Sequence, residues 1–330
     1  MQTTGQVRTP NVRGVPPVTM RSQLMLEAAS HLVASGGWDE RQVEINFRPQ
    51  GDDSWRIRFF ASDAPNAIDE VASGRADIAI CNPGAVLSMA LKGKGPYKQP
   101  IPVRAILVLP QFDQFAFAVK ADTGITSFAD IRDRKYPLRV SLRGQPDHSV
   151  HLVADLVLET YGFSLKDIES WDGTLFMDDG MPNGPNRIGR VERGDADAVW
   201  DEALQTFGHR ALEIGMRFLP VDEPNLQKLE AMGLRRVAIP KSTYAALDAD
   251  VWTVDFSGWP VFCLESTPDR LVTAFCEAVE ARKANIPWYG AGPMDLKLMV
   301  SDPPEAPLTI PLHHAAERFW REKGYLSEGR

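Results

Sequence analysis

The sequence predicts an α/β protein built from two similar lobes. A helix–glycine–strand pattern occurs twice without a gap, at residues 68–80 and again at residues 188–200. Each copy is typical of the end of an amphipathic helix, a glycine that stops the helix, and a short buried strand. A length of 330 residues also favours two lobes over one.

Two extended apolar runs, at residues 115–119 and 259–263, are interpreted as the places where the chain crosses between the lobes. The first lobe is then discontinuous, with residues 1–115 plus 251–330, and the second lobe spans residues 116–250. Ligands of open α/β sheets bind beyond the carboxyl ends of the strands, so a cleft between the lobes is the expected binding place.

The spacing of apolar residues, together with residues typical of helix starts and stops, predicts the helices and strands along the chain. Ser22 starts a helix that a glycine pair ends, Ser127 caps another, and Pro268 occupies a first helical turn. The predicted helices are 22–34, 65–73, 85–91, 127–132, 150–160, 268–283 and 311–324. The predicted strands are 43–47, 56–60, 76–81, 103–109, 138–142, 196–200, 218–221 and 236–239. Residues 171–187, rich in Gly, Asp, Asn and Pro, are predicted to form a long loop.

Composition and charge exclude several classes of protein. The net charge of −8 argues against nucleic acid or an anionic membrane as the partner. No apolar run approaches the ~18 residues of a membrane span, so direct membrane insertion is not expected. Residues 1–20 do not make a secretory signal. The sequence therefore predicts a cytoplasmic protein, or a periplasmic one if a signal was removed.

Stretches at 74–80, 117–131, 138–142, 158–163, 194–198, 239–244 and 310–318 together resemble, in family order, the TAXI-type solute receptors of TRAP transporters. That resemblance implies a type 2 periplasmic-binding-protein fold with a ligand cleft between the lobes and hinge closure. It also implies transporter membrane subunits as a partner. The sequence departs from the family at 17–22 and 143–149, where glycine-rich turns are usual, and in lacking a signal.

Turns after matching strands are predicted to bind a small anionic, carboxylate-containing organic ligand. Backbone N–H groups at 145–149 precede a helix and favour an anion, to which Arg143 adds a bidentate contact. Asn82 and Asp201 would orient the ligand, and aromatic side chains would cover its apolar part. The predicted ligand-binding residues are Arg21, Ser22, Asn82, Pro83, Phe115, Ser141, Arg143, Gly144, Gln145, His148, Ser149, Trp200 and Asp201. The alternative is a capped turn with an exposed Arg143 and a Trp200 in the core.

A second hypothesis is a cytosolic enzyme on the same scaffold, a decarboxylase or hydrolase of a small aromatic or carboxylic acid. Its acid, base or nucleophile would come from His148, Asp201, Glu202 and Cys81. The leading hypothesis includes no catalytic residue. Cys81, Cys263 and Cys276 are otherwise expected to be buried free thiols.

Neither a cofactor nor a metal is predicted. The sequence contains no phosphate-binding P-loop, dinucleotide GxGxxG motif or GxSxG elbow. His148 and His151 lack a third ligand at metal spacing. His313 and His314 are adjacent on the final helix, so their side chains are expected to diverge and to be structural.

Overall fold

The computed structural model describes residues 20–35, 43–48, 54–62 and 64–327. The chain divides into two compact units, Met1–Arg41 and Gln42–Arg330. The described part of the first unit is one helix, α1 (Met20–Ser35), and the side chains described on it are mostly exposed. None of the helices in the described ranges combines the length and apolar character that crossing a bilayer requires.

All the other α-helices and strands of the described residues belong to the second unit. Its strands are β1 (Val43–Phe47), β2 (Ile57–Ala61), β3 (Ile78–Ile80), β4 (Val103–Leu109), β5 (Gln114–Lys120), β6 (Arg139–Arg143), β7 (Thr174–Asp178), β8 (Ala198–Asp201), β9 (Met216–Phe218), β10 (Arg236–Ile239), β11 (Val251–Asp255) and β12 (Trp259–Leu264). Its helices are α2 (Asn66–Ala72), α3 (Gly84–Lys92), α4 (Phe128–Arg134), α5 (Ser149–Thr160), α6 (Leu165–Ser170), α7 (Ile188–Arg193), α8 (Leu204–Glu213), α9 (Glu223–Met232), α10 (Asp269–Arg282) and α11 (His314–Glu322).

The strands form two sheets. The first has the order β1-β2-β3-β12-β4, and the second has the order β10-β11-β5-β8-β6-β7 with β9 beside β5. Both sheets are mixed: β2 runs parallel to β3, and β6 runs parallel to β7 and β8, while β12 and β5 are antiparallel to their neighbours. The predicted two-sheet α/β fold class is confirmed.

The repeated sequence pattern corresponds to a repeated structural unit. α2 and β3 form its first copy, and α7 and β8 form its second. The glycine between helix and strand has a left-handed backbone in both copies, with φ of 71° at Gly74 and 81° at Gly194. Glycine carries no Cβ and adopts this conformation at little cost, which explains why the residue stands at both stops.

Each copy is fixed by the same arginine–aspartate arrangement. Arg58 donates from Nε and Nη2 to Asp77 at 3.0 and 2.7 Å, and its backbone N–H also donates to that carboxylate. Arg139 makes the same three contacts with Asp197, at 3.0, 2.6 and 3.1 Å. In both copies the remaining guanidinium nitrogen donates to the carbonyl of the repeat glycine. The repeated aspartate is therefore a structural residue that holds the parallel neighbouring strand.

The chain passes between the sheets a few residues away from the predicted places. Residues 115–119 lie inside β5, and residues 259–263 lie inside β12. These runs are continuously apolar because they are strands buried on both faces. β11, which the predicted division assigns to the first lobe, pairs with β10 and β5 in the second sheet. The lobe boundaries themselves stay a prediction.

Two short linking segments, residues 110–113 and 256–258, connect the sheets side by side. The Phe256 N–H donates to the Asp113 carbonyl at 3.0 Å, and the Gly258 N–H donates to the Gln111 carbonyl at 2.8 Å. The Ser257 hydroxyl also contacts the Asp113 backbone. The two segments are thus hydrogen-bonded to each other rather than independent connections.

Three parts of the prediction differ from the observed elements. β7 lies within residues 171–187, which are predicted to be a loop, and β9 ends at Phe218, where the predicted strand begins. Helices α6, α8 and α9 have no predicted counterpart. β7 is a half-exposed edge strand that pairs with β6, and it lies among the Gly, Asp, Asn and Pro residues that led the sequence analysis to predict a loop.

Apolar packing joins the two sheets. The largest buried apolar cluster includes residues from both, among them Phe60 and Ala79 of the first sheet and Phe117 and Val140 of the second. At Gly233, after α9, a Cβ would lie 3.1 Å from the Met89 backbone nitrogen of α3. The end of α9, which belongs to the part of the chain around the second sheet, therefore lies in direct contact with α3, which follows β3 of the first sheet.

Candidate ligand-binding site

Charged and polar side chains meet where β6 and β8 end and α5 begins. We call this group the polar cluster; it comprises Ser141, Arg143, His148, Arg187, Asp201 and Glu202. β6 and β8 are parallel neighbours, so their carboxyl ends lie at the same edge of the second sheet. Every member is buried except Arg143, whose side chain is 15% exposed. Ionised groups buried to this degree need partners, since an unpaired buried charge is costly.

Asp201 is the centre of the polar cluster. Its Oδ1 accepts from Arg143 at 2.7 Å and its Oδ2 accepts from Arg187 at 3.0 Å. Arg187 also donates from Nε to the Ser141 hydroxyl at 2.7 Å. Burial alone would raise the pKa of Asp201, but the charges of the two guanidinium groups lower it below the usual range. Asp201 is therefore ionised and shared by two arginines.

Glu202 has the opposite protonation preference. Its Oε1 lies 2.9 Å from Arg143 and 3.8 Å from His148 Nε2. Burial and the neighbouring charge of Asp201 raise its pKa well above the usual value. Its Oε2 is buried and has no hydrogen-bond partner within the described ranges. A protonated Glu202 leaves one positive charge in excess in the polar cluster.

His148 caps helix α5. Its Nδ1 accepts from the Val150 N–H at 3.2 Å, which satisfies one of the free donors at the helix start. Burial, followed by the charge of Arg143, lowers its pKa to about 3, so the imidazole is neutral at pH 7. The predicted anion-binding turn is thus partly capped by its own side chain.

The turn at 144–148 is held tightly against β7. A Cβ at Gly144 would lie 2.5 Å from Asp179 Oδ1 and 2.8 Å from the Asp178 carbonyl carbon, so only glycine fits there. The Gln145 carbonyl accepts from the His148 N–H at 3.2 Å and contacts His151 Nε2 at 2.9 Å. Gln145 itself is half-buried. These contacts fix the approach of the chain to α5.

Asn82 brings the first sheet to the polar cluster. It follows β3, is 7% exposed and precedes the buried Pro83 through a cis peptide bond. Its backbone carbonyl accepts a hydrogen bond from the hydroxyl of Ser149, the first residue of α5. Its Oδ1 is buried without a partner among the residues that the structure describes. The end of the first repeat unit is therefore in contact with the start of α5.

Trp200 and Phe115 are core residues here, and their predicted role in covering a ligand is not supported. Their rings stack on each other at 4.9 Å with an angle of 20°, and both are 2% exposed or less. Trp200 also packs against Phe117 and Phe128. Successive side chains of a strand point to opposite faces, so an Asp201 directed to the polar cluster places Trp200 in the core.

Cys81 does not have the properties of a nucleophile. It is fully buried, and burial raises the pKa of its thiol, which disfavours the reactive thiolate. Cys263 and Cys276 are also buried free thiols, as expected. Of the predicted residues on α1, Ser22 is exposed and the side chain of Arg21 lies outside the described residues. The roles of Arg21 and Ser22 stay predictions.

Sequence reasoning missed Arg187 and Asp113. Arg187 lies at the end of the predicted loop, directly before α7, and no local pattern separates it from a surface arginine. Asp113 belongs to the first linking segment and is 3% exposed. Its Oδ1 accepts from Gln205 Nε2 at 3.2 Å, and burial raises its pKa to about 7, with Asp201 contributing. A charged residue in the middle of an apolar region is the signal that could have identified Asp113.

A second group of polar side chains has the composition of a metal site. Asp269, His313 and His314 place their ligand atoms within 4.8 Å of one another. The two imidazoles stack at 4.2 Å, so the prediction that they diverge is wrong, because His313 is an extended cap residue outside α11. His313 Nδ1 accepts from the Ala315 N–H, and Asp269 pairs with His314 and Arg318. These contacts explain the group as a capped, ion-paired junction of α10 and α11.

Comparison with known proteins gives one family match. A family model described as the NMT1-like family matches residues 50–324. The chain is similar to the alkanesulfonate-binding protein SsuA from Xanthomonas axonopodis pv. citri bound to MOPS, at 12% identity over 78% of this chain and 70% of that chain, with a TM-score of 0.30.

Two further solved structures are similar over comparable lengths. A periplasmic transporter structure has 14% identity over 79% of this chain and 81% of that chain, with a TM-score of 0.35. The ATP phosphoribosyl transferase (HisG:HisZ) complex from Thermotoga maritima has 14% identity over 78% and 92%, with a TM-score of 0.33. Likenesses this distant do not identify a ligand.

Proposed function

Because the chain belongs to the NMT1-like family, we propose that it is a solute-binding protein whose polar cluster binds the anionic group of a small organic molecule. The observation that supports this proposal is the charge of the cluster. Arg143 and Arg187 both contact Asp201 and lower its pKa, whereas burial and Asp201 raise the pKa of Glu202, and burial lowers the pKa of His148, which favours their neutral forms. The excess positive charge favours a carboxylate, sulfonate or phosphate.

Arg143 is the residue best placed to contact the solute. Its side chain is 15% exposed, whereas the Arg187 side chain is completely buried behind it and is tied to Ser141. A guanidinium group offers five donors in a planar fork, so Arg143 can hold Asp201 and an anion together. Arg187 then acts by holding Asp201 in place.

Asn82 supports a site bounded by elements of both sheets. Its unpartnered Oδ1 is available to a hydroxyl or N–H group of the solute. The Ser149–Asn82 hydrogen bond and the close approach of Gly233 to α3 are contacts between elements of the two sheets. A solute that is bound by Arg143 and also contacts Asn82 is held best when the two sheets are close together. Binding therefore favours the closed conformation, which is the basis of hinge closure.

The finer assignments follow from the sequence and belong to the same proposal. The resemblance to TAXI receptors supports transporter membrane subunits as the partner that receives the solute.

Native mass spectrometry of the purified protein, followed by titration calorimetry with carboxylates, sulfonates and phosphates, tests the proposal. Arg143→Ala should weaken binding of the best anion about 10- to 150-fold, since a hydrogen bond to a charged group contributes about 1.5–3 kcal/mol. Arg139→Ala is the matched control, because it removes a guanidinium–carboxylate pair from the other end of the same strand. It should leave the Kd unchanged.

Two results would contradict the proposal. One is an anion that binds with equal affinity to wild type and to Arg143→Ala. The other is the absence of any retained or added anionic ligand in a protein that is folded by calorimetry.

The acid–base arrangement of Asp201 and Glu202 favours one alternative. Their environments shift the pKa values of two adjacent carboxyl groups in opposite directions, which is the pattern of a catalytic acid and base. An enzyme of this kind would turn over the bound solute, and Glu202→Gln would abolish turnover while retaining binding. A retained solute that stays chemically unchanged during prolonged incubation would count against this alternative.

A further inference from the structure

A cavity of about 320 Å³ lies beside the linking segments and shares no residue with the polar cluster. It is lined by Leu109, Pro110, Trp259, Pro287, Trp288 and Tyr289. Leu109 ends β4 where the first linking segment begins, and Trp259 starts β12 directly after the second. Small-molecule sites have volumes of about 300–1,000 Å³ and mostly apolar, aromatic walls. The cavity meets both criteria.

The aromatic side chains that line the cavity differ in how many contacts hold them and in how exposed they are. Trp288 is fixed, because its Nε1 donates to the Gly292 carbonyl at 3.0 Å and its ring covers Gly290 so closely that a Cβ there would be 2.1 Å away. Tyr289 is 70% exposed and meets Trp259 edge-to-face, with the ring centroids 6.1 Å apart. Trp288 is therefore held in place by two contacts, whereas Tyr289 is largely open to solvent.

The indole N–H of Trp259 is a buried donor without an acceptor among the described residues. An indole N–H can only donate, and leaving a buried donor unpaired costs free energy. An acceptor on a bound molecule that reached this nitrogen would remove that cost.

We propose that the cavity binds a planar aromatic group that carries a hydrogen-bond acceptor, to which Trp259 Nε1 donates. Ring stacking on the aromatic walls supplies shape recognition, and the indole donor selects rings with an acceptor over plain hydrocarbons. The ring can belong to the anionic solute of the polar cluster or to a separate molecule. The proposal does not depend on anion binding at Arg143.

The test uses quinoline and naphthalene, which have the same shape and differ in one ring nitrogen. Binding is followed by ¹⁹F NMR of protein labelled with 5-fluorotryptophan, in which Trp259→Phe identifies the Trp259 signal. Quinoline should shift the Trp259 signal and bind about three- to tenfold more tightly than naphthalene, the effect of one neutral hydrogen bond. Trp259→Phe should remove this preference. Trp252→Phe, at an exposed strand position outside the cavity, should keep it.

A third probe, quinoline-2-carboxylate, separates the two sources of the ring. If one solute occupies both places, Arg143→Ala weakens this probe and leaves quinoline unaffected. If the ring belongs to a separate molecule, Arg143→Ala leaves the affinities of quinoline and of quinoline-2-carboxylate unchanged. Equal affinities for quinoline and naphthalene, or an unmoved Trp259 signal at saturation, would overturn the proposal whether or not anions bind at the polar cluster.

Discussion

Removing Arg187 tests whether the polar cluster is truly desolvated. In Arg187→Met the side chain keeps most of its volume, so the cavity left behind is small. The substitution removes the ion pair with Asp201 and leaves the Ser141 hydroxyl and one Asp201 oxygen without their donor. Breaking a buried pair from one side costs about 3–5 kcal/mol. Asp201 keeps Arg143, which places the expected loss near the lower end, about 3 kcal/mol.

The matched control is Arg190→Met, three residues further along the chain. Arg190 makes two hydrogen bonds to Asp178 at 2.6 and 2.9 Å, but its side chain is 27% exposed. Water reaches this pair and screens it, so this substitution should cost clearly less than Arg187→Met. Urea denaturation at pH 7, followed by tryptophan fluorescence, measures the free energy of unfolding of both variants.

The pH dependence of the Arg187→Met loss has a definite sign. The pKa of folded Asp201 lies below that of the unfolded chain, so its contribution is present above about pH 4 and is lost as pH falls through the folded pKa. The difference between wild type and variant should therefore shrink under acid conditions. If Arg187→Met costs no more than Arg190→Met at pH 7, water reaches the cluster and the charge argument for the site is wrong.

Two further substitutions test the linking segments and the contact between the sheets. The pKa of Asp113 is raised to about 7, above its unfolded value of about 3.9, so folded wild type loses stability as pH rises from about 4 to 7. Asp113→Asn should therefore gain about 2 kcal/mol relative to wild type between pH 5 and pH 8, and a difference that is constant with pH would contradict this assignment. Gly233→Ala should cost at least ~1 kcal/mol more than Gly215→Ala in thermal unfolding, because both residues have positive φ but only Gly233 faces α3. Equal losses would show that α3 is not in firm contact there.

Elements with a strong local pattern are predictable from the sequence, and those that depend on a distant partner are not. The strands β1, β4 and β10 have the predicted bounds, because alternation or continuous apolar character marks them locally. β7 is a short edge strand beside β6, partly exposed and surrounded in the sequence by loop-forming residues. No pattern within residues 171–187 carries information about that partner.

The candidate site divides in the same way. Arg143, His148 and Asp201 lie close together, and each stands at a strand end or a helix start that the local pattern identifies; their role in binding stays a prediction. Arg187 reaches the same place from a loop whose path is set by tertiary contacts. Trp200 lies in the aromatic core, and the sequence alone does not say which face of the sheet each side chain of β8 points to. Because consecutive side chains point to opposite faces, Trp200 lies in the core while the next residue, Asp201, lies in the candidate site.

The two repeat units have the same arginine–aspartate hydrogen bonds but carry different side chains after their strands. The Arg58–Asp77 and Arg139–Asp197 arrangements fix equivalent strands with the same set of hydrogen bonds. Beyond those strands, the first unit offers a neutral amide at Asn82, whereas the second offers Asp201 held by arginines. Among the residues whose side chains the structure describes, the charged groups of the proposed site therefore lie at the second sheet. The first sheet contributes uncharged hydrogen bonds, so variants there should change how firmly the sheets hold together rather than which charge is bound.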